Sequence, residues 1–267
     1  MTARFHIPRP VGETEAAVVL SRDESRHLAR VLRLRQGEEA RLFDSTGAEF
    51  RVVIETASAR ASEARIVERL GRAQPVLRRL TLAVSLIRNE PMRWLVQKAT
   101  ELGVERLTPF VSERTAIAQG EEGESDSARR RRWERVSLAA CKQSGRSHPI
   151  DVSETVSFSS LVGDLAAAAL AILAWEGGGA GPLGEVLAQR LDRMAENEPI
   201  VLAIGPEGGF TEEEFSLACR RGFVPAGLGP YVLRTETAAL SAAAMILGWP
   251  RGEARTGDPG SLMFEGR

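Results

Sequence analysis

Between residues 81 and 247 the chain alternates short, continuous apolar runs with stretches of helical spacing. Strands buried on both faces and linked by covering helices give this pattern, so it predicts a largely parallel α/β sheet. The strand candidates are 81–87, 107–111, 169–175, 199–205 and 224–228. Helices are expected over 89–102, where Asn89 can cap and Met92, Leu95, Val96, Ala99 and Leu102 share a face before Gly103. Others are expected from Arg129 onward, with Trp133, Val136 and Ala140 inward, and near 183–196, 211–221 and 235–247. Ligands of such sheets sit at the carboxyl ends of strands.

Ahead of this region, the first seventy residues read as a small β-rich unit. Phe50, Val52 and Ile54 alternate with outward positions after the turn residues Asp44-Ser45-Thr46-Gly47, the signature of a hairpin. Ser21 and Glu24 fit a capping box, and Leu28, Val31 and Leu32 then fall on one helical face. At helical rotation Arg22, Arg26, Arg30 and Arg33 form a stripe opposite them, either a solvated face or a phosphate-contacting one. Residues 1–79 carry 15 arginines against 11 acids, whereas the whole chain has a net charge of −1. A mildly basic front on an acidic body is compatible with an anionic partner. Gly71 to Pro75 reads as a linker, Ser112 to Ser127 as a loop and 251–267 as a loose tail.

Several classes drop out. The longest apolar run, Leu165 to Trp175, is bounded by Asp164 and Glu176 and is too short to span a bilayer. The first twenty residues lack an apolar core segment, so no secretory signal and a cytoplasmic location are expected. Cys141, Cys219, His6, His27 and His148 show no ligand spacing, and no metal is expected.

Three loops could carry chemistry. Gly179-Ala180-Gly181-Pro182-Leu183-Gly184 formally matches a dinucleotide fingerprint, although Glu176 closes the preceding strand where a pyrophosphate would approach. Gly205-Pro206-Glu207-Gly208-Gly209-Phe210 follows a strand and precedes a capping box of Thr211 and Glu214. Glu207, Glu212, Glu213 and Glu214 crowd that helix start, which disfavours a di- or triphosphate and favours a neutral or cationic ligand. The third loop, Leu228 to Ala238, leads into a helix thin with Ala238, Ala239, Ala242, Ala243 and Ala244, a surface suited to close packing. Arg234 and Glu236 stand at its start, as a structural ion pair or as functional groups.

With these residues in view, the chain resembles the bacterial 16S ribosomal RNA uridine N3-methyltransferases of the SPOUT superfamily. The resemblance rests on His27 to Leu34 (HLARVLRL), Gln97 to Val104 (QKATELGV), Gln143 to Arg146 with Pro149, Ile204 to Phe210 (IGPEGGF) and Leu233 to Ala238 (LRTETA), in that order. It implies an α/β protein with an N-terminal PUA-like β-barrel (1–72), a SPOUT methyltransferase domain with a C-terminal trefoil knot (76–249), and a tail (250–267). It implies a homodimer, to which the alanine-rich helix contributes, and S-adenosyl-L-methionine as cofactor. The cofactor would lie near Leu173, against Gly205, Pro206, Glu207, Gly208 and Gly209, and against Leu228, Gly229, Val232, Leu233, Thr235 and Ala238. Arg88 and Lys142 depart from the family's usual residues, which touches RNA contacts more than methyl transfer.

The reaction so implied places a methyl group on N3 of a uracil in the small ribosomal subunit. N3 is nucleophilic only after losing its imide proton, so Arg234 is expected to stabilise the resulting anion and Glu236 to orient Arg234. RNA contact is expected from Arg22, Arg26, Arg30, Arg33 and Arg146, with Arg129 to Arg132 in addition. The rival readings are an NAD-dependent oxidoreductase using Gly179 to Gly184 and a non-catalytic RNA-binding protein.

Overall fold

The computed structural model describes residues 2–72, 78–116, 125–165, 168–195 and 197–250. In chain order the first elements are β1 (Arg4–Ile7), β2 (Ala17–Val19), α1 (Arg22–Arg26), β3 (Glu39–Asp44), β4 (Ala48–Thr56), β5 (Glu63–Arg72), β6 (Arg79–Ser85), α2 (Asn89–Leu102), β7 (Arg106–Val111) and α3 (Asp126–Ser144). There follow β8 (Asp151–Val152), β9 (Val156–Ser157), α4 (Phe158–Leu165), β10 (Leu170–Ala174), β11 (Gly181–Pro182), α5 (Leu183–Arg190), β12 (Pro199–Ile204), α6 (Glu212–Arg220), β13 (Val224–Gly227) and α7 (Thr235–Leu247). They group into two compact units.

Unit 1 draws on residues 1–76, 87–109 and 117–155. Its five-stranded sheet runs β1-β3-β4-β5-β2, with β1 and β3 parallel and the other neighbours antiparallel. Phe50, Val52 and Ile54 point into a core with Phe5, Leu28 and Leu42, as the alternation in β4 predicts. The β3–β4 turn is built on buried Asp44, which accepts hydrogen bonds from the amides of Val11 (2.9 Å), Thr46 (2.8 Å) and Ala48 (3.1 Å). Burial pushes this carboxyl up, but those bonds outweigh it and hold it below the ordinary carboxylate range.

The helix after Ser21 departs from expectation. Ser21 Oγ accepts from Glu24 N at 3.3 Å, as a cap should, but the α-helix ends at Arg26 and His27–Leu32 continue as a π-helix. Arg33 then closes the segment in the left-handed region at φ 56°. The wider turn breaks the assumed rotation: Leu28 stays buried, while Val31 and Leu32 are 65% and 41% exposed. Arg22, Arg26, Arg30 and Arg33 therefore do not form one straight α-helical stripe.

Within the same unit, Asn89 opens α2 rather than capping it, and Gly103 ends the helix at φ 99°. Thr100 Oγ1 on α2 meets Ser137 Oγ on α3 at 3.0 Å, and Ser137 Oγ also accepts from Ile150 N at 2.8 Å. Trp133 and Ala140 on α3 are buried, as their spacing indicates. β8 pairs in parallel with the first residues of β7.

Unit 2 draws on residues 77–86, 110–116 and 156–267. Its parallel strands run β11-β13-β10-β12-β6. Phe110, Phe158 and Phe210 pack together in its core beside Val201, Ala203 and Phe223. The alanines of α7 let that helix lie against β6 and β12, with Ala239, Ala242, Ala243 and Ile246 wholly buried. The sequence analysis assigned no element to α4; of its eight residues only Leu165 belongs to the apolar run that Asp164 bounds. Gly71 lies in β5 rather than in a linker. Residues 117–124, half of the expected 112–127 loop, and the whole of 251–267 lie outside the described residues.

Candidate functional site

In unit 2 the carboxyl ends of β10, β12 and β13 are level, with Leu173 opposite both Ala203 and Pro225. The segments that leave these ends enclose a cavity of about 210 Å³ that opens to solvent. It is lined by residues from 174–180, 204–210 and 227–238. Thr235 Oγ1 donates to Gly205 O at 3.1 Å and so ties the second candidate loop to the third.

Of the residues singled out from sequence, Gly205, Pro206, Gly209, Leu228, Gly229, Val232, Leu233, Thr235 and Ala238 line this cavity. Leu173 is wholly buried one position before the lining begins at Ala174. Glu207 is exposed, and Gly208 O accepts from Arg114 Nη1 at 3.0 Å; neither lines the cavity.

The glycines have distinct reasons to be glycine. A Cβ on Gly205 would press on the Phe210 ring at 3.0 Å, so its absence lets that ring form part of the wall. Gly209 sits at φ 69°, and a Cβ there would overlap Glu176 Oε1. Next to this loop, Thr211 N donates to Glu214 Oε2 at 3.0 Å and Glu214 N to Thr211 Oγ1 at 3.2 Å, so the capping box is complete. The start of α6 therefore presents three acids in its first turn, an environment averse to phosphates.

Trp175, Glu176, Gly177 and Tyr231 also line the cavity, although the sequence reading did not include them among the ligand-binding residues. The rule that ligands meet strand ends could have flagged the first three, which follow β10 directly. Trp175 stacks on Phe215 with ring centroids 4.3 Å apart. Glu176 is the only charged side chain among the described lining residues. Tyr231 and Val232 are 81% and 77% exposed at the rim.

Arg234 caps α7 through its backbone, its carbonyl accepting from Ala238 N at 2.9 Å, while its side chain is exposed. Glu236 is half-buried in the first turn of α7. Both flank the cavity in sequence without lining it, and no ion pair joins them. The Gly179 to Gly184 string is spent differently from a dinucleotide loop: Gly181–Pro182 pair with Ala226 and Gly227, and Gly184 lies inside α5.

In unit 1, Arg22, Arg26, Arg30 and Arg33 are all exposed. Arg146 is half-buried, and its Nη1 donates to Thr100 O at 3.0 Å. Among the described residues no three His, Cys, Asp or Glu side chains converge as a metal site. No described helix is long and apolar enough to cross a membrane.

Comparison with known proteins gives matches along most of the chain. Residues 73–247 match the RNA methyltransferase domain family, and residues 20–67 the RNA methyltransferase PUA domain. The ribosomal RNA small subunit methyltransferase E of Synechocystis is 32% identical over 87% of this chain and 73% of its own. The protein of the same name from Mycobacterium bovis is 31% identical over 90% of this chain and 89% of its own. Among solved structures, that methyltransferase from Neisseria gonorrhoeae bound to S-adenosyl methionine superposes with a TM-score of 0.80, at 31% identity, over 93% of this chain and 98% of that one. A Legionella pneumophila structure with the bound cofactor SAM gives a TM-score of 0.81 at 29% identity, over 93% and 98% of the two chains.

Proposed function

The chain belongs to the RNA methyltransferase family, and from that membership we propose that it methylates N3 of a uridine in 16S ribosomal RNA. It is a small-subunit ribosomal RNA methyltransferase, and its cofactor is S-adenosylmethionine. The observation that carries the reading is the charge of the cavity: one carboxylate, no basic side chain, and an acid-capped helix beside it. A phosphate-free ligand with a positive centre fits those walls, and a dinucleotide does not. Trp175, Phe210 and the bent glycine loops offer apolar faces and main-chain groups for an adenosyl moiety, while Glu176 opposes positive charge.

When bound, the cofactor supplies an electrophilic methyl group on a positively charged sulfur. The remaining work falls to the protein. Arg234, exposed at the start of α7, stabilises the anion that uracil becomes when N3 loses its proton, and Glu236, in the first turn of the same helix, orients it once RNA is bound, no ion pair joining the two in the free chain. Holding the base and the methyl carbon in line accounts for much of the rate. The reading also takes in a trefoil knot around the loops at 205–210 and 228–238, and a homodimer that includes α7, whose Met245 stays 41% exposed. Residues 1–72 then serve as a PUA-like RNA-binding domain and 76–249 as the methyltransferase domain. Arg22, Arg26, Arg30 and Arg33, all exposed, supply phosphate contacts in this reading, with Arg146 beside them.

The test supplies labelled S-adenosylmethionine and undermethylated small subunits, then locates the label by digestion and mass analysis. Label on N3 of a single uridine is expected. Label on a ribose or another base overturns the N3 assignment, and stabilisation by NAD in place of S-adenosylmethionine overturns the cofactor.

Gly209 provides a further check on the cavity. In Gly209→Ala the loop relaxes out of the left-handed region, and recovering it costs about 1–2 kcal/mol. Affinity for S-adenosylmethionine by calorimetry is expected to fall about 5–30-fold, the equivalent of that cost. Unchanged affinity would show that the Gly209 bend is not part of the bound state.

A further inference from the structure

A second concavity lies wholly within unit 1, in a volume of about 780 Å³. His6 on β1, Arg131 and Arg135 on α3, and Asp151 on β8 stand around it, with Glu134 between the two arginines. Its charge cannot be read from composition, because α3 spends most of its basic run internally. Arg129 pairs with Asp126 at 3.4 Å, Arg130 with Glu134 at 2.9 Å, and Arg132 with Asn89. Arg131 and Arg135 remain: both are exposed and, spaced four residues apart, they project from the same helix face. Neither has a carboxylate partner among the described residues.

The two acids of the groove are already neutralised. Glu134 is held by Arg130, and Asp151 by Arg106 at 2.8 Å. Two guanidinium groups are thus left without a carboxylate partner beside an open concavity. Burial, with Lys142 nearby, lowers the His6 imidazole below its ordinary range, so His6 adds hydrogen-bonding capacity rather than charge.

We infer that this groove holds the sugar–phosphate backbone of the RNA substrate, with Arg131 and Arg135 on successive phosphates. Arginine forks match phosphate oxygens in bidentate fashion, and two arginines whose Cβ atoms stand about 5–6 Å apart on one helix face suit an anion that repeats along a chain. The choice of RNA over an acidic protein rests on the proposed function and on the position of the PUA match, residues 20–67, in the same unit. The sequence pointed to Arg129 to Arg132 as a block; the structure selects Arg131 from it and adds Arg135.

The test measures binding of a small-subunit ribosomal RNA fragment by fluorescence anisotropy across a salt series. The full-length protein is compared with R131Q/R135Q and with the charge-reversed R131E/R135E. Two lost phosphate contacts make the plot of log affinity against log salt shallower by about 1.4–1.8. Affinity for S-adenosylmethionine, measured on the same preparations, stays unchanged and reports an intact fold. Wild-type affinity and slope in both variants would overturn the groove as an RNA site and leave the functional reading standing. Failure of the unmodified protein to bind ribosomal RNA would overturn the functional reading and the groove with it.

Discussion

Arg234→Ala is expected to lower the rate of methyl transfer by about 10²–10³-fold, while the dissociation constant of S-adenosylmethionine changes by less than about threefold. The asymmetry follows from placement. Arg234 enters α7 through its backbone and keeps its side chain exposed, outside the residues that line the cavity. Its guanidinium is tied down by no ion pair with Glu236, so it is available to a negative charge that develops on the base. A cation that meets such charge acts on the transition state, not on the cofactor already seated. Single-turnover rates on undermethylated subunits, beside calorimetric titration with the cofactor, separate the two effects. Equal losses in rate and affinity would remove Arg234 from catalysis and make it part of the binding loop.

The largest effect on stability is expected at Phe110. Its ring lies 5.5 Å from Phe158 and 6.1 Å from Phe210, and Phe158 and Phe210 are 4.9 Å apart. Phe110→Ala removes a wholly buried ring from this cluster and leaves a cavity that the remaining rings cannot fill without leaving their rotamers. A loss of about 3–5 kcal/mol is expected in urea unfolding. Weaker cofactor binding should accompany it, because Phe210 also forms part of the cavity wall. A loss below about 1 kcal/mol would mean that the cluster repacks, and the shared-wall argument would fall with it.

What the sequence disclosed depended on how local each feature is. The strands β12 and β13 and the helices α2 and α7 follow from apolar runs and spacing, which any window of a dozen residues contains. The meeting of Gly205 with Thr235 follows from the family resemblance that the two motifs carry, and the structure joins the two loops through the hydrogen bond between them. The π-turn at His27–Leu32 was hidden because the reading assumed a constant rotation per residue, and nothing in HLARVL announces the wider turn. Glu176 reads in the sequence as an obstacle to a pyrophosphate and Trp175 as the end of an apolar run; the fold puts both in the cavity wall. The same holds for Arg131 and Arg135, whose freedom depends on which neighbours Asp126, Glu134 and Asn89 have already taken.

Phe210 belongs at once to the apolar interior and to the chamber wall, with the Gly205 backbone pressed against its edge. Any change to that ring alters thermal endurance and ligand fit together, so neither property can drift without the other. Tyr231 and Val232, exposed at the mouth of the same chamber, carry no such double duty and can change with less disturbance of the interior.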